Sequence, residues 1–292
     1  MSDPVVSPGA ESADPCASCE HAAAHSPDSS VAPTLPHGDA VPPAPSALPV
    51  RKVAVLAFAG WLRLGWRDMW RQPLGSLLYG LSLVIIGFII LTITAEFPYL
   101  YTAAISGFLL VAPMLGAGLY EKSRRYLAGE PVPLLAMGLA WQRNRSALFG
   151  FGALCILAGT LWQVISVFVI AVFYKGSGFK PVEMIVEILR RSEHMLVFVI
   201  YVGLGGIFAA VIFALTVVSA PLLVDRRDCR LLTGLATSID AVAENPLPLA
   251  LWATVIMLLV ACGFLTAMLG LIVVLPWLAH ASFHAYRELV ES

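Results

Sequence analysis

Apolar residues run through this chain in long blocks broken by short charged connectors. Windows free of any acid or base cover 74–95, 97–120, 146–174, 195–224 and 247–279. A bilayer core of about 30 Å is crossed by about 20 apolar residues in a helix, so each of the first four windows predicts one span. The fifth would be roughly 50 Å long as a single helix at about 1.5 Å per residue. It therefore predicts a fold-back between 263 and 270, with one tilted helix from 247 to about 272 as the five-span alternative. The expected fold is an all-α polytopic membrane protein of six transmembrane helices, arranged as three hairpins with amphipathic interfacial helices. The spans fall at about 74–95, 97–119, 147–173, 195–222, 247–264 and 267–285. Helices are required because lipid offers no partner to a backbone amide, and these blocks are too long and too uniformly apolar for barrel strands.

Three stretches align just ahead of the odd-numbered spans: GWRDMWRQPLGSLLYG, GLAWQRNRSALFGFG and SIDAVAENPLPLALW. In each, a short amphipathic segment ends on an amide side chain, Gln72, Asn144 or Asn245. Pro73 and Pro246 then take the first helical turn, where a missing N–H costs nothing. The even-numbered spans carry Pro113, Pro221 and Pro276 near their charged ends. This predicts an interfacial helix, a membrane hairpin and an exit turn, repeated three times. Trp61, Trp66 and Trp70 lie among arginines, a composition suited to the headgroup layer. Between 175 and 194, Val182, Ile185, Ile188 and Leu189 follow helical spacing and predict an amphipathic helix on the outer face.

Charge sets the orientation. Of the 18 basic residues, only Lys175, Lys180, Arg190 and Arg191 fall on one side of the six-span arrangement; the rest fall on the other. Both termini are thus expected in the cytoplasm, and the compartment to be the bacterial inner membrane. Residues 1–50 form a separate segment, rich in Pro, Ala and Ser, acidic and without lysine or arginine, and are expected to be a disordered cytoplasmic tail ahead of a membrane domain spanning 51–292. With 59% hydrophobic residues and a net charge of −1, no nucleic-acid footprint is present. The bilayer is the expected partner, alongside a second copy or another membrane protein. No cofactor is expected.

Candidate chemistry is sparse. Cys16, Cys19, His21, His25 and His37 give the tail a thiolate and imidazole density that metals accept, within an otherwise low-complexity tract. Counting four residues on from the three exit prolines reaches Ala117, Asp225 and His280; eight residues on are Glu121, Cys229 and His284. His280 and His284 share a helix face. With Asp225, Glu121 and Cys229 from neighbouring helices they make the one candidate metal site, weighed against plain interfacial packing. Nucleotide-binding, HExxH and GxSxG motifs are absent, and no acid or base lies mid-span. The expected function is therefore a non-enzymatic membrane scaffold or accessory protein. The alternative is a small-solute transporter or channel built from the hairpin repeats, with Gly203, Gly205 and Gly206 opening span four.

The SAPLLVDR run, the ENPLPLALW run and the closing GLIVVLPWLAHASFHAYREL, together with GWLRLGWRDMW, resemble a family of bacterial integral membrane proteins catalogued as domain of unknown function 2189. The likeness extends over roughly 50–290 and leaves the tail outside. It implies membrane location and fold, and carries no catalytic residue with it.

Overall fold

A computed structural model describes residues 47–94, 107, 113–173 and 195–291. The first helix, α1 (Ala57–Arg71), buries Trp61, Gly65, Asp68 and Met69, a single stripe at helical spacing. Gln72 leaves helical geometry, and Pro73 starts α2 (Pro73–Thr94). Only Ser76, Gly80, Leu83, Val84 and Gly87 of α2 are buried, a stripe of mostly small residues that lets it lie close to a neighbour. Leu78, Ile85, Phe88 and Ile89 point outward, as on a helix solvated by lipid.

Next come α3 (Ala117–Ala128), α4 (Leu134–Gly138), a 3-10 turn (Ala140–Asn144) and α5 (Arg145–Phe173). Gly129 caps α3 in the left-handed region at φ 67, where a Cβ would be strained. The remaining helices among the described residues are α6 (Met195–Thr216), α7 (Ser219–Asp225), α8 (Leu231–Glu244), α9 (Pro246–Leu265) and α10 (Leu271–Leu289).

The amide residues ahead of α5 and α9 work as joints. Asn144 Nδ2 donates to the carbonyl of Cys229 at 2.8 Å, and Asn245 Oδ1 accepts from the Val53 amide at 2.9 Å. Between α9 and α10 the chain does fold back. Thr266 Oγ1 donates to the Gly263 carbonyl at 2.8 Å and accepts from the Gly270 amide at 2.7 Å, and Ala267 and Met268 take positive φ.

The six-span, three-hairpin expectation is nonetheless overturned. Among the described residues four helices are long and apolar enough to cross a membrane: Pro73–Thr94, Ala140–Val169, Phe198–Asp225 and Pro246–Leu265. The expected sixth span became α10, which is not one of them. Its second half carries His280, His284, Arg287 and Glu288, and it is packed among protein helices, with Ala281, Phe283, Ala285 and Leu289 fully buried. The expected second span lies mostly outside the described residues, as do the outer-face helix at 175–194 and residues 1–46 of the tail.

Helix α10 is the axis of the domain. Helices α1 and α2 lie along it so closely that a methyl group at Gly65 would stand 2.5 Å from the Ala281 amide nitrogen, and one at Gly80 would collide with the Ile272 carbonyl. Trp61, expected in the headgroup layer with Trp66 and Trp70, instead turns inward. It meets Trp252 edge-on at 5.7 Å and donates from Nε1 to Glu288 Oε2 at 2.7 Å. Trp66 and Trp70 do remain exposed, in edge contact with each other. The two ends of the described domain close on one another. Val50 and Val290 form an antiparallel bridge, with Arg51 N donating to Leu289 O at 2.8 Å and Glu291 N to Pro49 O at 3.0 Å.

Candidate functional site

Burying ionisable groups costs several kcal/mol each unless partners compensate, so where they collect is where a membrane domain commits its polar chemistry. One such collection lies where α1, α2, α3 and α10 meet. Asp68 comes from α1, Ser76 from α2, Lys122 and Ser123 from α3, and His280 and His284 from α10; all six are buried, Ser76, Lys122, Ser123 and His280 completely. Asp68 reaches the interior because it shares the α1 stripe with Trp61 and Met69.

The contacts form one chain. Lys122 Nζ donates to the Gln72 carbonyl at 2.7 Å and to Ser76 Oγ at 2.8 Å. Ser76 Oγ lies 3.1 Å from His280 Nε2, and His280 Nδ1 lies 2.7 Å from Ser123 Oγ. Ser123 donates to Asp68 Oδ2 at 2.9 Å, and His284 Nε2 meets the same oxygen at 2.8 Å. Proton positions follow from valence. Ser123 has one hydrogen and gives it to the carboxylate, so it accepts from His280 Nδ1–H. A neutral imidazole then accepts at Nε2, and takes the Ser76 hydroxyl hydrogen. Every donor therefore points the same way, from the Lys122 ammonium to the Asp68 carboxylate. The Tyr126 ring closes one side, with Arg71 at 5.0 Å and Lys122 Nζ at 5.7 Å from its centroid.

Burial tunes these groups. It depresses His280 to about 3, only partly opposed by the charge of Asp68, so the ring is neutral at physiological pH. It pulls Lys122 down to about 8 against the attraction of Asp68. Burial pushes the Asp68 carboxyl up, but the His284 and Ser123 hydrogen bonds and the nearby imidazoles hold it below the usual carboxylate range.

A pH dependence of stability follows. An unfolded histidine at position 280 binds protons below about 6.5, while the folded one does so only near 3. Across that window the unfolded state takes up more protons, so the contribution of His280 is full above 6.5 and falls as pH drops, by about 1.4 kcal/mol per pH unit. The depressed Asp68 acts in the same direction below its ordinary value of 3.8. Thermal unfolding of detergent-solubilised protein at neutral and mildly acidic pH is expected to show this slope. His280→Asn, whose amide keeps a donor near the Nδ1 position for Ser123 but cannot titrate, is expected to flatten it.

Only part of the sequence-derived metal set comes together. His280 and His284 share the cluster just described. Asp225 is instead engaged by the Tyr286 hydroxyl at 2.8 Å and by Arg287 at 3.2 Å. Glu121 points away into guanidinium groups: Arg125 Nε at 2.7 Å, Arg124 Nε at 2.8 Å and Arg143 Nε at 3.3 Å. Cys229 Sγ contacts the Arg230 carbonyl at 3.6 Å, and burial pushes its thiol up, away from the thiolate a metal needs. Among the described residues no group of three or more His, Cys, Asp and Glu side chains is arranged to hold a metal ion. The tail residues Cys16, Cys19, His21, His25 and His37 lie outside the described residues.

Sequence reasoning missed Asp68, Ser76, Lys122 and Ser123. The available signal was Asp68 on the face of α1 that also carries Trp61 and Met69, where a solvated aspartate is out of place.

Residues 100–225 match the model of a family described as predicted integral membrane protein (DUF2189). No curated protein and no solved structure matches the chain.

Proposed function

We propose that this chain, which over residues 100–225 belongs to that DUF2189 integral membrane family, is a non-enzymatic scaffold or accessory protein of the bacterial inner membrane with both ends in the cytoplasm. The observation that carries the reading is that each member of the buried Lys122-to-Asp68 chain has its partner within the protein. Groups so matched brace four helices, and beside them the Tyr126 hydroxyl is a buried polar group without a hydrogen-bond partner among the described residues. The orientation rests on the arginines clustered at 124–125, 143–145 and 226–230, and on the pairing of Val50 with Val290, which puts both ends of the domain on one face.

A second reading, a small-solute transporter or channel, no longer rests on hairpin repeats. One observation favours it: buried ionisable groups joined by hydrogen bonds are a common means of moving protons through membrane proteins. Purified protein reconstituted into liposomes with a pH-sensitive dye inside separates the two. The scaffold reading expects proton and solute leakage equal to that of empty liposomes. Reproducible flux abolished by Lys122→Met would overturn it in favour of transport.

A further inference from the structure

Beside the buried chain, on the other side of α3, lies a cavity of about 320 Å³ lined by Glu121, Arg125, Arg143, Arg227, Leu135 and Leu139, among others. Its charges do not balance. Three guanidinium groups, of Arg125, Arg143 and Arg227, line it with a single carboxylate, that of Glu121, while the Arg124–Glu130 pair and the Asp225 carboxylate, which attracts Arg143, stand just outside. Glu121 is already engaged by three of the arginines, and Glu130 is shared between Arg124 and Arg125. Arg143 also donates to the Val224 and Asp225 carbonyls at 2.9 and 3.2 Å, which fixes it at the cavity wall. Arg227, exposed, makes no hydrogen bond or ion pair among the described residues, yet it stands close enough for its charge to oppose that of Arg143.

Glu121 is shared among three arginines and leaves Arg227 without a partner among the described residues beside Arg143, and the shape of the surroundings says which further anion fits. The opposite wall is apolar, and Leu134 and Leu135 are 58% and 71% exposed beside it. Arg143 lies within the first turns of the Ala140–Val169 span, so the cavity opens at the depth of the headgroups. Guanidinium pairs grip phosphate oxygens through parallel N–H bonds, and basic pockets at the cytoplasmic ends of membrane helices suit anionic lipid heads.

We infer that this cavity binds the phosphate headgroup of an anionic phospholipid, with Arg227 and Arg143 on the phosphate and Leu135 and Leu139 against the glycerol and upper acyl chain. The full-length protein, delipidated in a neutral detergent, tests this by native mass spectrometry and thermal stabilisation with phosphatidylglycerol, phosphatidylcholine or inorganic phosphate. Phosphatidylglycerol is expected to be retained and to stabilise, and the other two are not. Arg227→Gln, which breaks no contact within the fold, is expected to weaken phosphatidylglycerol binding by about tenfold, the loss of one charge-assisted contact. Arg230→Gln, at an exposed neighbour that does not line the cavity, leaves it unchanged. Equal binding by the two variants would overturn the inference. So would equal stabilisation by phosphatidylcholine, which would mark a nonspecific lipid effect, or by inorganic phosphate, which would mark a simple anion site.

Discussion

Asp68→Ala is expected to destabilise the protein by about 3–5 kcal/mol, the usual loss when one partner of a buried charge pair is removed. Asp68 Oδ2 is the common acceptor for Ser123 and His284, and its charge is the counterweight to a wholly buried Lys122. Alanine leaves both donors without an acceptor and the ammonium without a countercharge, in an interior that water does not reach. Asp68→Asn keeps a carbonyl oxygen for one donor, so its loss is expected to be smaller. Adding Lys122→Met to Asp68→Ala removes the uncompensated charge. The double variant is therefore expected to be more stable than the sum of the single losses by on the order of 1–3 kcal/mol. Denaturant titration of the four proteins in one detergent checks this. Strict additivity would show that Lys122 and Asp68 do not act through the shared chain.

The second large effect is expected at Glu121. This carboxylate is almost wholly buried, its side chain 2% exposed, and three arginine side chains no more than 24% exposed converge on it. Burial pushes its carboxyl up, and the Arg124 and Arg125 hydrogen bonds more than reverse this. Glu121→Ala leaves three guanidinium groups facing one another and is expected to cost about 3–5 kcal/mol. Glu121→Gln retains the size and an acceptor oxygen but not the charge, and is expected to fall between alanine and the parent. If repulsion is the cause, raising salt narrows the difference between Glu121→Gln and the parent, because the arginines are partly exposed and screening reaches them. A salt-independent difference would point to lost packing instead.

Much of the membrane domain could be read from pattern alone. Four apolar windows became helices able to cross a bilayer, and the break in the last block came where its length required one. What pattern could not show is that α10 is sheathed by protein rather than lipid. Leu, Val and Ala satisfy either environment, so an apolar run sets the solvent's polarity and not its identity. The buried chain was half legible. The spacing of His280 and His284 marked a polar face, but their partners come from residues 216 positions away at Asp68 and 157 away at Ser123. Counting from the exit prolines proposed Asp225 and Glu121 because it assumed a threefold arrangement; both carboxylates found arginine or tyrosine neighbours nearer at hand. Trp61 illustrates the same limit. Its neighbours in sequence are interfacial, and only the approach of Glu288 and Trp252 gives its indole a reason to turn inward.

The first and last helices of the domain are each other's principal partners. Gly65 lies on Ala281, Trp61 bonds Glu288, Asp68 bonds His284, and the backbone at Val50 pairs with that at Val290. A ribosome delivers these two helices at opposite ends of the synthesis of the domain. Until α10 arrives α1 lacks Glu288 for its indole and His284 for its carboxylate, and its amphipathic character allows it to wait on the headgroups. The apolar spans can enter the bilayer one at a time, but the domain can close only after its C-terminus leaves the exit tunnel. Contacts this distant in sequence form slowly, so a nascent chain stalled before residue 280 is an inserted but open molecule, with Asp68 lacking His284, Ser76 and Ser123 lacking His280, and all of them within reach of quality-control proteases.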